Sequence, residues 1–96
     1  MRIRLDEIGW LEYEVEGNVM YIMDIHVRKE YRGQGYGKQL LKKAIEVARK
    51  EGCTEIRMDV GNPVMEHIAR KFGFVEDGTE SDVGKGVVLY VWDAGS

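Results

Sequence analysis

The residues best suited to chemistry stand together in Arg32-Gly33-Gln34-Gly35-Tyr36-Gly37-Lys38, ahead of an amphipathic stretch that begins at Gly37. Three glycines let the backbone approach a ligand closely, and a helix N-terminus presents N–H groups without partners and the positive end of its dipole. Such a turn can cradle phosphate, with Arg32 and Lys38 adding positive charge; the same composition also serves simply to bend a chain. Two nucleotide-binding motifs do not fit. A Walker A loop requires glycine where Arg32 stands and Ser or Thr where Gln39 stands, and the third glycine of a dinucleotide fingerprint falls on Lys38.

Asp24 and His26 are two residues apart, which puts them on one face of an extended segment. His26 can accept a proton or pack under a helix, and Asp24 can accept a proton or hydrogen-bond a neighbouring turn. His67 falls on the polar side of a helical stretch and reads as a surface residue. Asn62 precedes Pro63, which fits a helix N-cap with proline at the first helical position as well as a ligand contact. The single cysteine, Cys53, has no disulfide partner and no neighbours at zinc spacing, so no metal is expected and Cys53 reads as a small buried residue. Ser81 and Ser96 are the only serines, which makes a Ser-His-Asp hydrolase site hard to assemble.

These residues need a frame. Ile3 and Leu5 alternate with Arg2 and Arg4, and Leu11, Tyr13 and Val15 alternate with Glu12, Glu14 and Glu16, the period of half-buried strands. Gly17-Asn18 is a hairpin signal leading into 19–27, where strict alternation places Val19, Tyr21, Met23, Ile25 and Val27 on one face. Met20, Ile22, Asp24 and His26 then share the other, so this strand is expected to be central and covered on both sides near its start. Leu40, Leu41, Ala44, Ile45 and Ala48 form one helical stripe over 37–51, closed by Gly52. A strand is predicted over 55–60. A second helical stripe runs through Val64, Met65, Ile68, Ala69 and Phe72, closed by Gly73, and strands are predicted at 74–76 and 87–92 around a Gly- and Asp-rich connection. The order β-β-β-α-β-α-β-β describes an α/β fold with a mixed sheet.

Ninety-six residues, 44% hydrophobic and 32% charged, suit one domain over 1–96. No apolar run approaches the ~20 residues of a membrane span and no signal-peptide core follows Met1, so a soluble cytoplasmic protein is expected. The net charge is −3, yet residues 28 to 50 hold eight Lys and Arg against Glu30 and Glu46. A basic patch on an acidic protein suits a small polyanion better than nucleic acid, and a solvated helix face accounts for it equally well. Nucleic-acid binding would reveal itself by a steep loss of affinity with salt.

Arg32-x-x-Gly35-x-Gly37 resembles the Q/R-x-x-G-x-G/A signature of the GNAT N-acetyltransferase superfamily, placed as in that family between a strand ending Asp24-Ile25-His26-Val27 and an amphipathic helix. Asn62, Met65, Ala69, Gly73 and Phe74 also fall at the offsets of the family's N-x-x-A-x-x-x-Y-x-x-x-G-F pattern. The resemblance implies a GNAT-like fold with a V-shaped site for acetyl-CoA as co-substrate, the pyrophosphate resting on the N–H groups of residues 33 to 38. It implies that pantetheine pairs with the backbone of Ile25 and Val27 and that the Val27 N–H is a candidate donor to the thioester oxygen; Asn62 is then a candidate pantetheine contact or the cap of the second helix. Asp24 and His26 are then the candidates to take the proton of an amine acceptor.

Two departures accompany the resemblance. The family's first strand and the two helices after it have no counterpart, which leaves the acceptor side open or completed by a second copy in a homodimer. The tyrosine that often protonates the departing thiolate is replaced by Ala69, expected to face the cofactor sulfur. A thiol of pKa about 8.5 can leave without a strong acid. The implied activity is N-acetyl transfer by direct attack in a ternary complex; the other reading is a non-catalytic acyl-CoA-binding module.

Overall fold

The computed structural model describes residues 1–61, 63–80 and 88–93. The strands are β1 (Arg2–Leu5), β2 (Gly9–Glu16), β3 (Val19–Val27), β4 (Glu55–Val60), β5 (Val75–Glu80) and β6 (Val88–Asp93). A 3-10 turn (Lys29–Tyr31) and helix α1 (Tyr36–Lys50) join β3 to β4, and helix α2 (Pro63–Lys71) follows β4. One sheet has the order β1-β2-β3-β4-β6-β5; β3 and β4 run parallel and every other neighbouring pair is antiparallel. The expected order of elements and the mixed sheet are therefore present, with β3 and β4 at its centre.

Glycines close both helices. At the end of α1, Gly52 takes φ 79° and Cys53 donates its N–H to Ala48 O at 2.8 Å. At the end of α2, Gly73 takes φ 89° and Phe74 donates to Ala69 O at 3.0 Å. Both are six-to-one closures made possible by a left-handed glycine. The second corrects the predicted strand at 74–76: Phe74 belongs to the helix closure and is buried, so β5 begins at Val75. The predicted Gly- and Asp-rich connection lies largely outside the described residues.

The core lies on one side of the sheet. Leu11, Tyr13, Met20, Ile22, Ile56, Met58, Val60 and Trp92 are buried beneath Leu40, Leu41, Ala44 and Ala48 of α1 and Ala69 of α2. Cross-strand partners share a face, and the register pairs Ile3 with Leu11, Ile22 with Tyr13, Ile22 with Met58 and Ile56 with Trp92, which assigns this face strand by strand. The opposite face carries Arg2, Arg4, Trp10, Glu12, Glu14, Val19, Tyr21 and Arg57, and among the described residues no helix lies over it. The expectation that β3 is covered on both sides is corrected accordingly. No helix among the described residues is long and apolar enough to cross a membrane.

Strict alternation along β3 is also corrected. Glu12 stands opposite Asp24 but Tyr13 stands opposite Ile22, so Met23 has no counterpart on β2. This one-residue bulge reverses the alternation. Ile25 and Val27, opposite Leu11 and Gly9, lie on the helix side with Met20 and Ile22, while Asp24 and His26 lie on the open side with Val19 and Tyr21. Met23, at the bulge, is 64% exposed.

Candidate functional site

Pairing between β3 and β4 covers Val19–Ile22 against Glu55–Met58 and stops there. Beyond it a cavity of about 180 Å³ opens, bordered by Met23, Asp24 and Ile25 on one strand, by Asp59 and Val60 on the other, and by Gly61 just past its end. It adjoins a larger cleft of about 620 Å³ through the shared residues Ile25 and Met65. Ile25, His26 and Val27 form one wall of the cleft, the Tyr31 to Gly37 segment another, and Val64, Met65 and Ile68 of α2 a third.

The direction of the backbone along this wall follows from the ladder. The Arg28 N–H donates to Ile8 O at 2.8 Å, one step beyond the Gly9–Val27 pair. Bonded and non-bonded pairs alternate in an antiparallel ladder, so Trp10–His26 and Glu12–Asp24 are bonded pairs. Ile25 and Val27 therefore turn their N–H and C=O away from β2 and into the gap that β4 has left. The Val27 carbonyl accepts a bond from Arg32 Nε at 3.0 Å, as this direction requires.

At the turn, Gly33 (φ 78°) and Gly35 (φ 86°) both occupy the left-handed region, and Gly35 is the N-cap of α1 with no side-chain cap. The Gln39 N–H makes the first helical bond to Gly35 O at 3.1 Å, which leaves the N–H groups of Tyr36, Gly37 and Lys38 without helical acceptors. No acidic residue occupies this first turn. Lys71, at the end of α2, stands close enough to Lys38 to push its amine below the usual lysine range, by hydrogen bonding first and like-charge repulsion second. Positive charge is thus gathered beside unsatisfied N–H groups, an arrangement suited to an anion.

Of the residues singled out in the sequence, Ile25, His26, Val27, Arg32, Gly33, Gly35, Tyr36 and Gly37 line the larger cleft and Asp24 the smaller. The side chain of Gln34 folds back to Glu30 O at 3.4 Å, and neither Gln34 nor Lys38 borders the cleft. Tyr36 meets Tyr31 edge to face, with centroids 5.9 Å apart, at the cleft wall. Asn62 lies outside the described residues. His67 is exposed, and Cys53 is buried, with burial and then the Glu51 charge raising its thiol pKa. Ala69, expected to face the cofactor sulfur, is fully buried and borders neither cavity. The stripe of α2 turned to the cleft is instead Val64, Met65 and Ile68.

Sequence reasoning missed Tyr31, the α2 wall and Trp10. The indole of Trp10 stacks on the His26 imidazole with centroids 4.3 Å apart and planes 28° from parallel, on the open face of the sheet. The Arg2 guanidinium lies 4.9 Å from the Trp10 ring and ion-pairs with Glu12. The pairing of β2 with β3 was the available signal, since it sets Trp10 opposite His26. Among the described residues no group of three or more His, Cys, Asp or Glu is arranged to hold a metal.

Comparison with known proteins places this geometry. Residues 3–74 match the sequence profile of the Acetyltransferase (GNAT) family. Thialysine N-epsilon-acetyltransferase of Bos taurus is 47% identical over 45 residues, 47% of this chain and 26% of that protein. An acetyltransferase of Agrobacterium fabrum is 33% identical over 78 residues, covering 81% of this chain and 50% of the relative. The chain thus spans between a quarter and a half of these two relatives' lengths. Among solved structures, the PaiA N-acetyltransferase of Thermoplasma acidophilum in complex with coenzyme A superposes with a TM-score of 0.77 at 25% identity, over 90% of this chain and 53% of that one. A Bacillus subtilis acetyltransferase in complex with CoA has a TM-score of 0.80 at 22% identity, over 96% of this chain and 74% of its own, and shares the fold. With the profile spanning three quarters of the chain and the glycine turn, helix start and parted central strands in place, this chain belongs to the GNAT acetyltransferase family.

Proposed function

We propose that this chain transfers an acetyl group from acetyl-CoA to an amine by direct attack within a ternary complex. The observation that carries the reading is the pair of backbone edges at Ile25 and Val27, turned into a gap that leads to the uncapped start of α1. The N–H groups of residues 33 to 38 hold the pyrophosphate. The free edge of β3 pairs with the pantetheine amides as a missing strand would, and the Val27 N–H donates to the thioester oxygen. Negative charge develops on that oxygen as the amine attacks, so a fixed donor there lowers the barrier. Holding both reactants in one cleft supplies much of the remaining acceleration.

An amine must lose a proton to attack. His26, whose ring stands on the open face beside Val27, takes that proton, while Asp24 at the smaller cavity attracts the ammonium form of the acceptor. The CoA thiolate departs without a side-chain acid at the Ala69 position. The open sheet face is the approach for the acceptor, and a second copy of the chain is its proposed cover; light scattering at high micromolar concentration tests that homodimer, and a strict monomer would exclude it. Binding without transfer is the less favoured reading, because the matched relatives are named as acetyltransferases.

The test is CoA release from acetyl-CoA with a panel of primary amines: an alkyl diamine, a free amino acid and a basic peptide. Turnover with one of them, abolished by acetyl-CoA omission and accompanied by the acetylated product in mass spectra, is the expected result. Acetyl-CoA binding without turnover of any amine would overturn transfer and leave the binding module.

A further inference from the structure

We infer that Trp10 is a positioning residue, which fixes the His26 imidazole in the orientation that proton transfer from the acceptor amine requires. The inference rests on the reading of His26 as proton acceptor given above. His26 and Trp10 form a bonded pair across β2 and β3, so their Cα atoms are held in register by the main chain. The side chains of such a pair stand on one face, and here the rings stack at 4.3 Å and 28°. Stacking of this kind restricts both side-chain torsions of His26.

The indole also meets a cation. Arg2 lies over Trp10 at 4.9 Å, within cation–π range, and is tethered by its ion pair to Glu12, the β2 residue opposite Asp24. Trp10 therefore engages both Arg2 and His26, and His26 stands on the open face directly beside Val27 at the cleft wall. No helix among the described residues covers this face, so the imidazole lacks the packing that orients a ring in a closed site. The indole supplies that restraint. The charged groups sharing this face around the stack are Arg2, Arg4, Glu12 and Asp24.

The experiment combines Trp10→Leu, Trp10→Phe and His26→Gln, assayed with the amine turned over fastest in the panel above. Trp10→Leu should lower kcat about tenfold to a hundredfold, the scale of a misplaced reacting group, while KM for acetyl-CoA stays within about twofold. Trp10→Phe keeps a stacking ring and should recover most of the rate. In a His26→Gln background, Trp10→Leu should cost nothing more, because the group it positions is gone. In proton NMR the His26 ring signals should sit upfield in the parent chain and in Trp10→Phe, and move downfield in Trp10→Leu. An equal loss from Trp10→Leu in both backgrounds would make Trp10 merely structural. A large loss from His26→Gln with none from Trp10→Leu would overturn positioning while keeping the proton acceptor, and an unchanged His26→Gln variant would overturn the proton acceptor itself.

Discussion

A Cβ atom on Gly9 would lie 2.1 Å from the carbonyl oxygen of His26, and 3.0 Å from the Val27 Cα. The strands β2 and β3 therefore meet more closely here than any residue with a side chain permits, at the two β3 residues to which the proposed chemistry assigns the proton acceptor and the oxyanion donor. Gly9→Ala must push β3 away from β2. An overpacked contact of this kind costs about 1 to 3 kcal/mol, and each kcal/mol lowers the thermal midpoint of a domain this size by about 4 to 8 °C. Thermal denaturation and a CoA titration should both register the change. Gly37→Ala is the contrasting control for the thermal midpoint alone: its Cβ would lie 3.7 Å from Ile68 Cδ1, an ordinary contact, and alanine favours a helix by about 0.5 to 1 kcal/mol over glycine. A Gly9→Ala protein with parental midpoint and affinity would show that β2 can retreat freely.

Gly35 is constrained differently. Nothing lies within 4 Å of a Cβ built there, but its φ of 86° is left-handed, where a β-branched side chain is strained. Gly35→Val should reshape the turn and displace the first N–H groups of α1, while the sheet and the rest of the helix persist. At a hundred times its dissociation constant acetyl-CoA adds about 2.7 kcal/mol to the folded state. Scanning calorimetry with millimolar acetyl-CoA should show the midpoint rising in the parent chain and staying put in Gly35→Val, with far-ultraviolet dichroism largely preserved. A full ligand shift in the variant would place the pyrophosphate elsewhere.

The glycine turn and both helices were legible because their signals are local: a run of glycines, two apolar stripes, and a glycine after each stripe. The order of elements followed from the same signals. What escaped was set by pairing between segments. A bulge at Met23 depends on how β2 and β3 register, and no period-2 reading of β3 alone can contain it, so strict alternation puts Ile25 and Val27 on the wrong face. The Trp10–His26 stack is invisible for the same reason. Ala69 and Met65 lie four residues apart on one stripe, yet Ala69 is sealed in the core and Met65 borders both cavities, a difference made by where α2 crosses the edge of the gap.

Cys53 predicts a pH dependence. Burial, and then the Glu51 charge, raise the thiol pKa in the folded chain. An unfolded thiol titrates at about 8.5, so above that pH the unfolded chain releases its proton before the native one does. Stability therefore contains the full contribution below about pH 8.5 and loses it as the pH rises toward the native value. Urea denaturation at neutral and alkaline pH should show the parent chain losing more stability than Cys53→Ala over this interval. Parallel losses in the two proteins would mean that the thiol titrates alike in both states.

Ala69 gives the sharpest separation between family pattern and local packing. The pattern places a tyrosine here, and a positioned general acid is worth about 10² to 10⁴-fold where proton transfer limits the rate. In this chain Ala69 has no exposed surface, and its carbonyl receives the N–H groups of both Phe72 and Phe74 in the closure of α2. A phenol in that position meets the core before it meets the cleft. Ala69→Tyr is expected to lower stability by about 1 to 3 kcal/mol through overpacking and to slow, not speed, CoA release. Thermal midpoint and turnover measured together decide the matter, since strain depresses both, whereas a rate gain in a stably folded variant would show that α2 can rotate its Ala69 face toward the cofactor and that the departing thiolate had lacked an acid.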